Sequence, residues 1–354
     1  MRRIAPEVPD RRGAVRAVFL SVWLLAFPGH GALCAANEPS AAPPASASPT
    51  IATGHEEALL FASPTTRDRI GRVVVPVTIN GKGPFRFIVD TGANHSTISP
   101  GLVQTLGLQP SDEASVVLDG ITGSAKVTFV TVDRLQAGDM TIEGTALPVV
   151  SADVMGGADG ILGAAGFTTK SLVVDFQHNR VAISHSVAAA VRTEATKIHA
   201  LRLTHGLITL ETRVGGLRVQ AVLDTGSQRT LGNLALRDAL RMPGARAAVV
   251  QVTSVYGATE RIEAGEIRIA PTIAIESLRI TDVGIVYGDF HIFKVWEMAD
   301  KPAMIIGMDV LGTVPVLGID FERQDVYLAG VRGKGGEDVF QAMHGYNGNS
   351  AIKK

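Results

Sequence analysis

Asp90 and Asp224 each close an apolar run and open a tight turn: Phe87-Ile88-Val89-Asp90-Thr91-Gly92-Ala93 and Ala221-Val222-Leu223-Asp224-Thr225-Gly226-Ser227. A strand that ends this way delivers a carboxyl to the edge of a fold, where chemistry can use it. Two carboxyls held close enough to share one proton can hydrolyse an amide without metal or covalent nucleophile. Like charges at that distance do not both ionise cheaply, so the pair's pKa values split into one acid and one base. Those values belong to the pair, and the sequence assigns neither role to either residue. A lone Asp-Thr-Gly is an ordinary turn. The argument rests on the surroundings, which repeat as well.

Before each triplet stands a strand pair with a hairpin turn. In the first copy Val73 to Ile79 is followed by Asn80-Gly81; in the second Leu207 to Arg213 is followed by Gly215-Gly216. Such dipeptides between apolar runs are strong hairpin signals. After each triplet comes a short helical segment, Pro100 to Leu108 and Asn233 to Met242. Next come Gly160-Ile161-Leu162-Gly163 and Met304-Ile305-Ile306-Gly307, and then a closing hairpin-like stretch with Asp-Phe, Val173 to Val181 and Gly318 to Val326. Four landmarks in the same order, twice, indicate an internal duplication.

This doubled set resembles the aspartic proteases, and the compact lobes are more similar to the retroviral type than to the larger pepsin lobes. The resemblance covers roughly residues 68 to 330. It implies a mostly β fold of two homologous acid-protease-like β-barrel lobes forming an internal pseudo-dimer. It implies catalytic Asp90 and Asp224 meeting at a pseudo-twofold axis, with Gly92 and Gly226 letting the backbone turn closely beneath them. Thr91 and Thr225 would brace the turns through hydroxyl bonds to the opposite lobe. The implied substrate is a peptide or protein lying in the cleft, with no cofactor and no metal.

The copies differ where Ala93 follows one triplet and Ser227 the other. A Ser227 hydroxyl donating to the Asp224 carboxylate would bias Asp224 toward carrying the charge; the alternative is a turn residue without effect. Asp159 and Asp309 flank the apolar-Gly turns and read as turn-capping or buried-pair carboxylates. Two turn-rich tips between strand-like arms suit a lid: Leu118 to Ser124, with Gly120 and Gly123, and Thr253 to Ala258, with Tyr256 and Gly257. Tyr256 reads equally as a substrate contact or as a hairpin aromatic packed on its own lobe. The pepsin-like pattern puts a flap tyrosine in the first lobe, and this chain has none there.

Composition narrows the alternatives. With 33 basic and 34 acidic residues, nothing points to nucleic acid or an anionic membrane surface. With 46% hydrophobic residues in 354, the chain can bury two modest cores. No His-Glu-x-x-His, paired-cysteine, phosphate-loop or Gly-x-Ser-x-Gly motif is present. Residues 1–36 read as a signal peptide: a basic leader, the apolar run Ala17 to Phe27, then Pro28-Gly29 and small residues. That run falls short of the about 20 residues of a membrane span, so export to the periplasm or medium is expected, with no stable span. Cys34, the sole cysteine, falls within the signal, leaving no disulfide. Residues 37–67 read as an Ala/Pro/Ser-rich linker and lead-in, 68–186 as the first lobe, 187–197 as an interlobe linker, 198–330 as the second lobe and 331–354 as a flexible tail. The expected protein is a monomeric pseudo-dimer and an aspartic-type endopeptidase. The competing reading keeps the fold without cleavage, as a peptide-binding or scaffolding protein. Two intact Asp-Thr-Gly triplets favour the hydrolase.

Overall fold

The computed structural model describes residues 71–329, apart from 112–114, 139, 204–205, 241–250 and 260, together with the backbone of the strands Arg16–Phe19, Leu59–Pro64, Thr66–Arg67 and Asp338–Gln341. The strand Val73–Ile79 is rich in β-branched residues and buries nearly every position, as a strand covered on both faces should. Asn80 and Gly81, both at positive φ, turn it back into Lys82–Asp90. In the second lobe Gly215 and Gly216, also at positive φ, join Ile208–Val214 to Leu217–Leu223. Both returning strands start exposed and end buried. Each therefore carries its aspartate from the surface into the interior.

The duplication is visible in sheet order. In the first lobe the strands run Met140–Pro148, Phe129–Ala137, Val73–Ile79, Lys82–Asp90, Gly160–Gly163, Thr97–Ile98. In the second, Leu278–Thr281, Ile273–Ile275, Ile208–Val214, Leu217–Leu223, Ala303–Ile306 and Leu231–Gly232 follow in the same order. In both, the apolar-Gly strand lies parallel to the aspartate strand, Leu162 opposite Val89 and Ile305 opposite Val222. The protein is thus mostly β, with two homologous lobes. Short helices follow each aspartate turn, Pro100–Leu106 capped by the Ser99 hydroxyl and Leu234–Ala239 capped by the Asn233 side chain.

A sheet of six strands joins the lobes, three from each: Ala195–His199, Asp325–Ala329, Val316–Asp320, Ser171–Asp175, Arg180–Ser184 and Leu59–Pro64. At its centre Val173 faces Gly318 across the two lobes. Phe167 and Phe321 stack at 5.6 Å beside it, and reciprocal backbone bonds, Phe176 to Pro315 and Phe321 to Lys170, complete the seam.

The strand pairings change three expected boundaries. Leu59–Pro64 and Thr66–Arg67, placed above in the lead-in, are strands of the first lobe's edge. The segment 187–197, expected as a linker, holds the helix Ala189–Glu194 and opens the strand Ala195–His199, the second lobe's matching edge. Asp338–Gln341, placed in the flexible tail, pairs in parallel with Leu278–Thr281. Edge strands of this kind are fixed by partners far away in sequence, so their own residues give little sign of them. Within 1–36, Arg16–Phe19 is a strand parallel to Val116–Gly120; the rest of that segment, Cys34 and residues 37–58 lie outside the described residues. Among the described residues no helix is long and apolar enough to cross a membrane.

Candidate active site

The two Asp-Thr-Gly turns meet at the centre of the molecule. The Thr91 hydroxyl donates to the Leu223 carbonyl at 2.8 Å and accepts from the Thr225 amide at 3.1 Å. The Thr225 hydroxyl donates to the Val89 carbonyl at 2.7 Å and accepts from the Thr91 amide at 3.1 Å. Four buried bonds thus tie each turn to the strand that carries the other aspartate. Within each turn the carboxylate accepts two backbone amides: Gly92 and Ala93 donate to Asp90 Oδ1, both at 2.9 Å, and Gly226 and Ser227 to Asp224 Oδ1 at 2.8 and 3.0 Å. A methyl group at Gly226 would run into the Asp90 carboxylate. Only glycine lets the second turn lie this close to the first lobe's acid.

The apolar-Gly strands hold the turns from behind. The Gly163 and Gly307 amides donate to the hydroxyls of Ser96 and Thr230 at 3.1 and 3.2 Å. The amides of Ala164 and Met308 donate to the carbonyls of Ala93 and Ser227 at 2.7 and 2.8 Å. A side chain at Gly163 would strike the His95 backbone, and one at Gly307 the Arg229 backbone. Asp159 Oδ2 accepts the Arg86 amide at 2.7 Å, and Asp309 accepts the Thr230 amide and hydroxyl at 3.0 and 2.8 Å. Both serve the scaffold, the second from a half-buried position.

Both catalytic candidates are completely buried. Burial pushes each pKa up, because a carboxylate loses its water. A bond between the two side chains lowers Asp90 and raises Asp224, the pattern of neighbouring carboxyls that do not both ionise cheaply. Asp224 is pushed well above the ordinary carboxylate range, first by burial and then by the Asp90 charge beside it. Its Oδ2 is buried without a hydrogen bond from any other described group. Asp90 is also raised by burial, but the bond from Asp224, the Gly92 and Ala93 amides and the charge of Arg72 pull it back. The pair therefore holds one proton more readily than none.

The Ser227 expectation does not hold. Its hydroxyl donates to the Arg229 carbonyl at 2.8 Å, and only its backbone amide reaches Asp224. A local carbonyl two residues on satisfies the serine within its own turn.

Both lid candidates are hairpins, Val116–Gly120 with Gly123–Val127 and Gln251–Tyr256 with Ile262–Ile269. Gly120 and Gly123 pair across a two-residue turn, and Gly123 sits at φ 142. The hairpins meet tip to tip: the Thr122 and Thr259 hydroxyls are 3.0 Å apart, and a side chain at Gly257 would press on Thr122. Tyr256, half-buried, pairs with Ile262 at the end of its strand.

Sequence reasoning missed what anchors the first hairpin. The His291 amide donates to the Ile121 carbonyl at 2.9 Å, and the His291 ring nitrogen Nε2 lies 2.9 Å from the Ser124 hydroxyl and 3.4 Å from Asp119. Ser124 in turn donates to the fully buried Asp119 at 2.5 Å. Serine and aspartate share one ring nitrogen, so no carboxylate orients the other; the cluster ties a flap and does not build a nucleophile. No local motif announces it, because its members lie on opposite lobes. Arg72 was also missed, although the repeat could have found it: it stands where the second copy has Leu207. Among the described residues no three His, Cys, Asp or Glu side chains gather as a metal site.

A family model described as aspartyl protease matches residues 75–165 and 210–310, one region in each lobe. The chain belongs to the aspartyl protease family. No curated protein matches it. The two regions span Asp90 and Asp224 with their turns, both apolar-Gly strands and both flap hairpins. In this member of the family, then, the matched segments are those that place and cover the paired carboxyls.

Proposed function

We propose that the protein is an aspartic endopeptidase of retropepsin-like, single-chain form, with Asp90 and Asp224 as its catalytic pair. The observation that carries this reading is the reciprocal threonine brace, which ties together the turns that carry two buried carboxyls. In such a pair the charged carboxylate takes a proton from water as the water oxygen attacks the scissile carbonyl, and the protonated partner gives its proton to the carbonyl oxygen. Collapse of the tetrahedral diol breaks the C–N bond while the leaving nitrogen is protonated, and the pair ends with one proton again. Thr91, Gly92, Thr225, Gly226 and Ser227 hold the geometry. With both aspartates buried, the flap tips that meet at Thr122 and Thr259 must part for a peptide to enter. The basic leader and short apolar run support action after export, in the periplasm or the medium.

The test is cleavage of a mixed peptide library across about pH 3 to 8, the range in which a split carboxyl pair works, by the mature chain, Asp90→Asn and Asp224→Asn. Loss of cleavage in both variants is expected. Cleavage that survives either substitution overturns the assignment. A wild type that binds peptides without cutting them establishes the scaffolding alternative instead.

A further inference from the structure

The two aspartates share a frame but not a neighbour. In the first lobe Val74 pairs with Ile88. Two residues further along both strands, the same antiparallel register sets Arg72 across from Asp90, on the same face of the sheet. In the second lobe Thr209 pairs with Val222, and the same step sets Leu207 across from Asp224. Arg72 and Leu207 are both fully buried. The duplication thus sets an arginine across from one acid and a leucine across from the other; the Arg72 terminal nitrogens are buried with no hydrogen bond to a described group, and their charge acts on Asp90 through space.

A buried guanidinium is costly unless an anion faces it, and a buried carboxyl pair with one proton supplies a single negative charge. We infer that Arg72 is a positioning residue of the pair: it fixes the negative charge on Asp90 and leaves the shared proton on Asp224. This rests on the endopeptidase reading above. Asp90 then takes the proton from the attacking water, and Asp224 protonates the carbonyl oxygen.

The other groups around the site agree. The charges that act most on Asp90 are Asp224, from the opposite turn, and Arg72, from the neighbouring strand; on Asp224 the acting charge is Asp90. Arg229, on the second turn, acts on Asp309. His95, at the matching place on the first turn, is partly buried and meets Gly163 through its backbone.

The test compares pH profiles of kcat/KM for wild type, Arg72→Met and Arg72→Lys. Without the cation, both limbs of the bell move to higher pH, by about 1 unit, the low end for a nearby opposite charge, and lysine returns them most of the way. Limbs that stay in place in a folded Arg72→Met enzyme overturn the inference. A second comparison needs neither that variant nor any activity. Asp90→Asn, which withdraws an anion from Arg72, is expected to lower Tm more than Asp224→Asn; equal or reversed effects overturn the inference. If the wild type cleaves nothing, the endopeptidase reading fails while this comparison still reports where the charge sits.

Discussion

The two flaps are anchored in opposite ways. The second, Gln251–Tyr256 with Ile262–Ile269, is stitched to its own lobe: Ile262–Ile269 pairs with Gly284–Tyr287, which runs parallel to Leu231–Gly232 in the main sheet. In the first lobe the matching connection shrinks to one bridge between Ile98 and Val149. The first flap therefore forms a small hydrogen-bonded sheet of its own, with Arg16–Phe19 along one side, while its Val116 and Leu118 pack into the first lobe beside Val74, Ile88 and Ile161. Its tip rests instead on the second lobe, through Ile121, Thr122, Ser124 and Asp119. One flap is hydrogen-bonded into its lobe's main sheet; the other is held by side-chain packing on its own lobe and by its tip on the second. The aspartates show the same division, a shared frame with one side chain exchanged. Duplication supplies the symmetric framework, and single unsymmetric contacts distribute the roles.

The strongest way to sharpen this comparison is at the threonine brace, where the lobes are most alike. Thr91→Val and Thr225→Val each leave one buried amide and one buried carbonyl without a partner, at about 1–3 kcal/mol apiece. Chemical denaturation should therefore show two losses of about 2–6 kcal/mol, equal within error. A marked inequality would mean that the pseudo-twofold governs geometry but not energy.

Stability against pH probes the unlike half. Asp224 has a folded pKa raised well above the ordinary 3.8. The folded state therefore keeps a proton that the unfolded chain has already released once pH exceeds about 4, and stability is greatest at the acid end of that window and falls as pH rises toward the folded pKa. Asp90 and Asp309, also raised chiefly by burial, act with the same sign. Denaturation midpoints at stepped pH should show this decline, and Asp224→Asn should flatten it, since the remaining Asp90 no longer faces a second carboxyl. A decline equally steep in Asp224→Asn would remove the paired carboxyls as its cause.

The smallest effect is expected at the flap tie. The His291 side chain is 33% exposed, and the fully buried Asp119 keeps its bond from Ser124, so the loss is that of one partly solvated hydrogen bond, about 0.5–1 kcal/mol. In His291→Gln the amides of Thr122 to Ser124 should exchange with solvent roughly two- to fivefold faster, while those of Val252 to Tyr256 hold steady. If both flaps loosen together, the contrast drawn between them is wrong.

Much of the site could be read from residues. Asp90 and Asp224, their threonines and glycines, both hairpin turns and both apolar-Gly strands are local patterns that recur, and recurrence turns weak signals into a strong one. The roles of Asp159 and Asp309 followed from ordinary turn chemistry. The Ser227 bias failed because a hydroxyl's choice between a carboxylate and a nearer carbonyl depends on rotamer and on the turn's path. The linkers at 59–67 and 187–197 hid edge strands because strand pairing there depends on Asp325–Ala329 and Arg180–Ser184, far off in the chain.

The sequence by itself determined that there are two lobes, that each contributes one aspartate, and that these belong to a turn tight enough to need glycine; period, turn chemistry and duplication are all written along the chain. Only the tertiary structure decided that the two acids meet in a buried centre, that Arg72 lies across from one and Leu207 across from the other, and that the tip of the first flap touches the second lobe. Those facts depend on desolvation and on contacts between residues well over a hundred positions apart, and such interactions exist only once the sheets have closed.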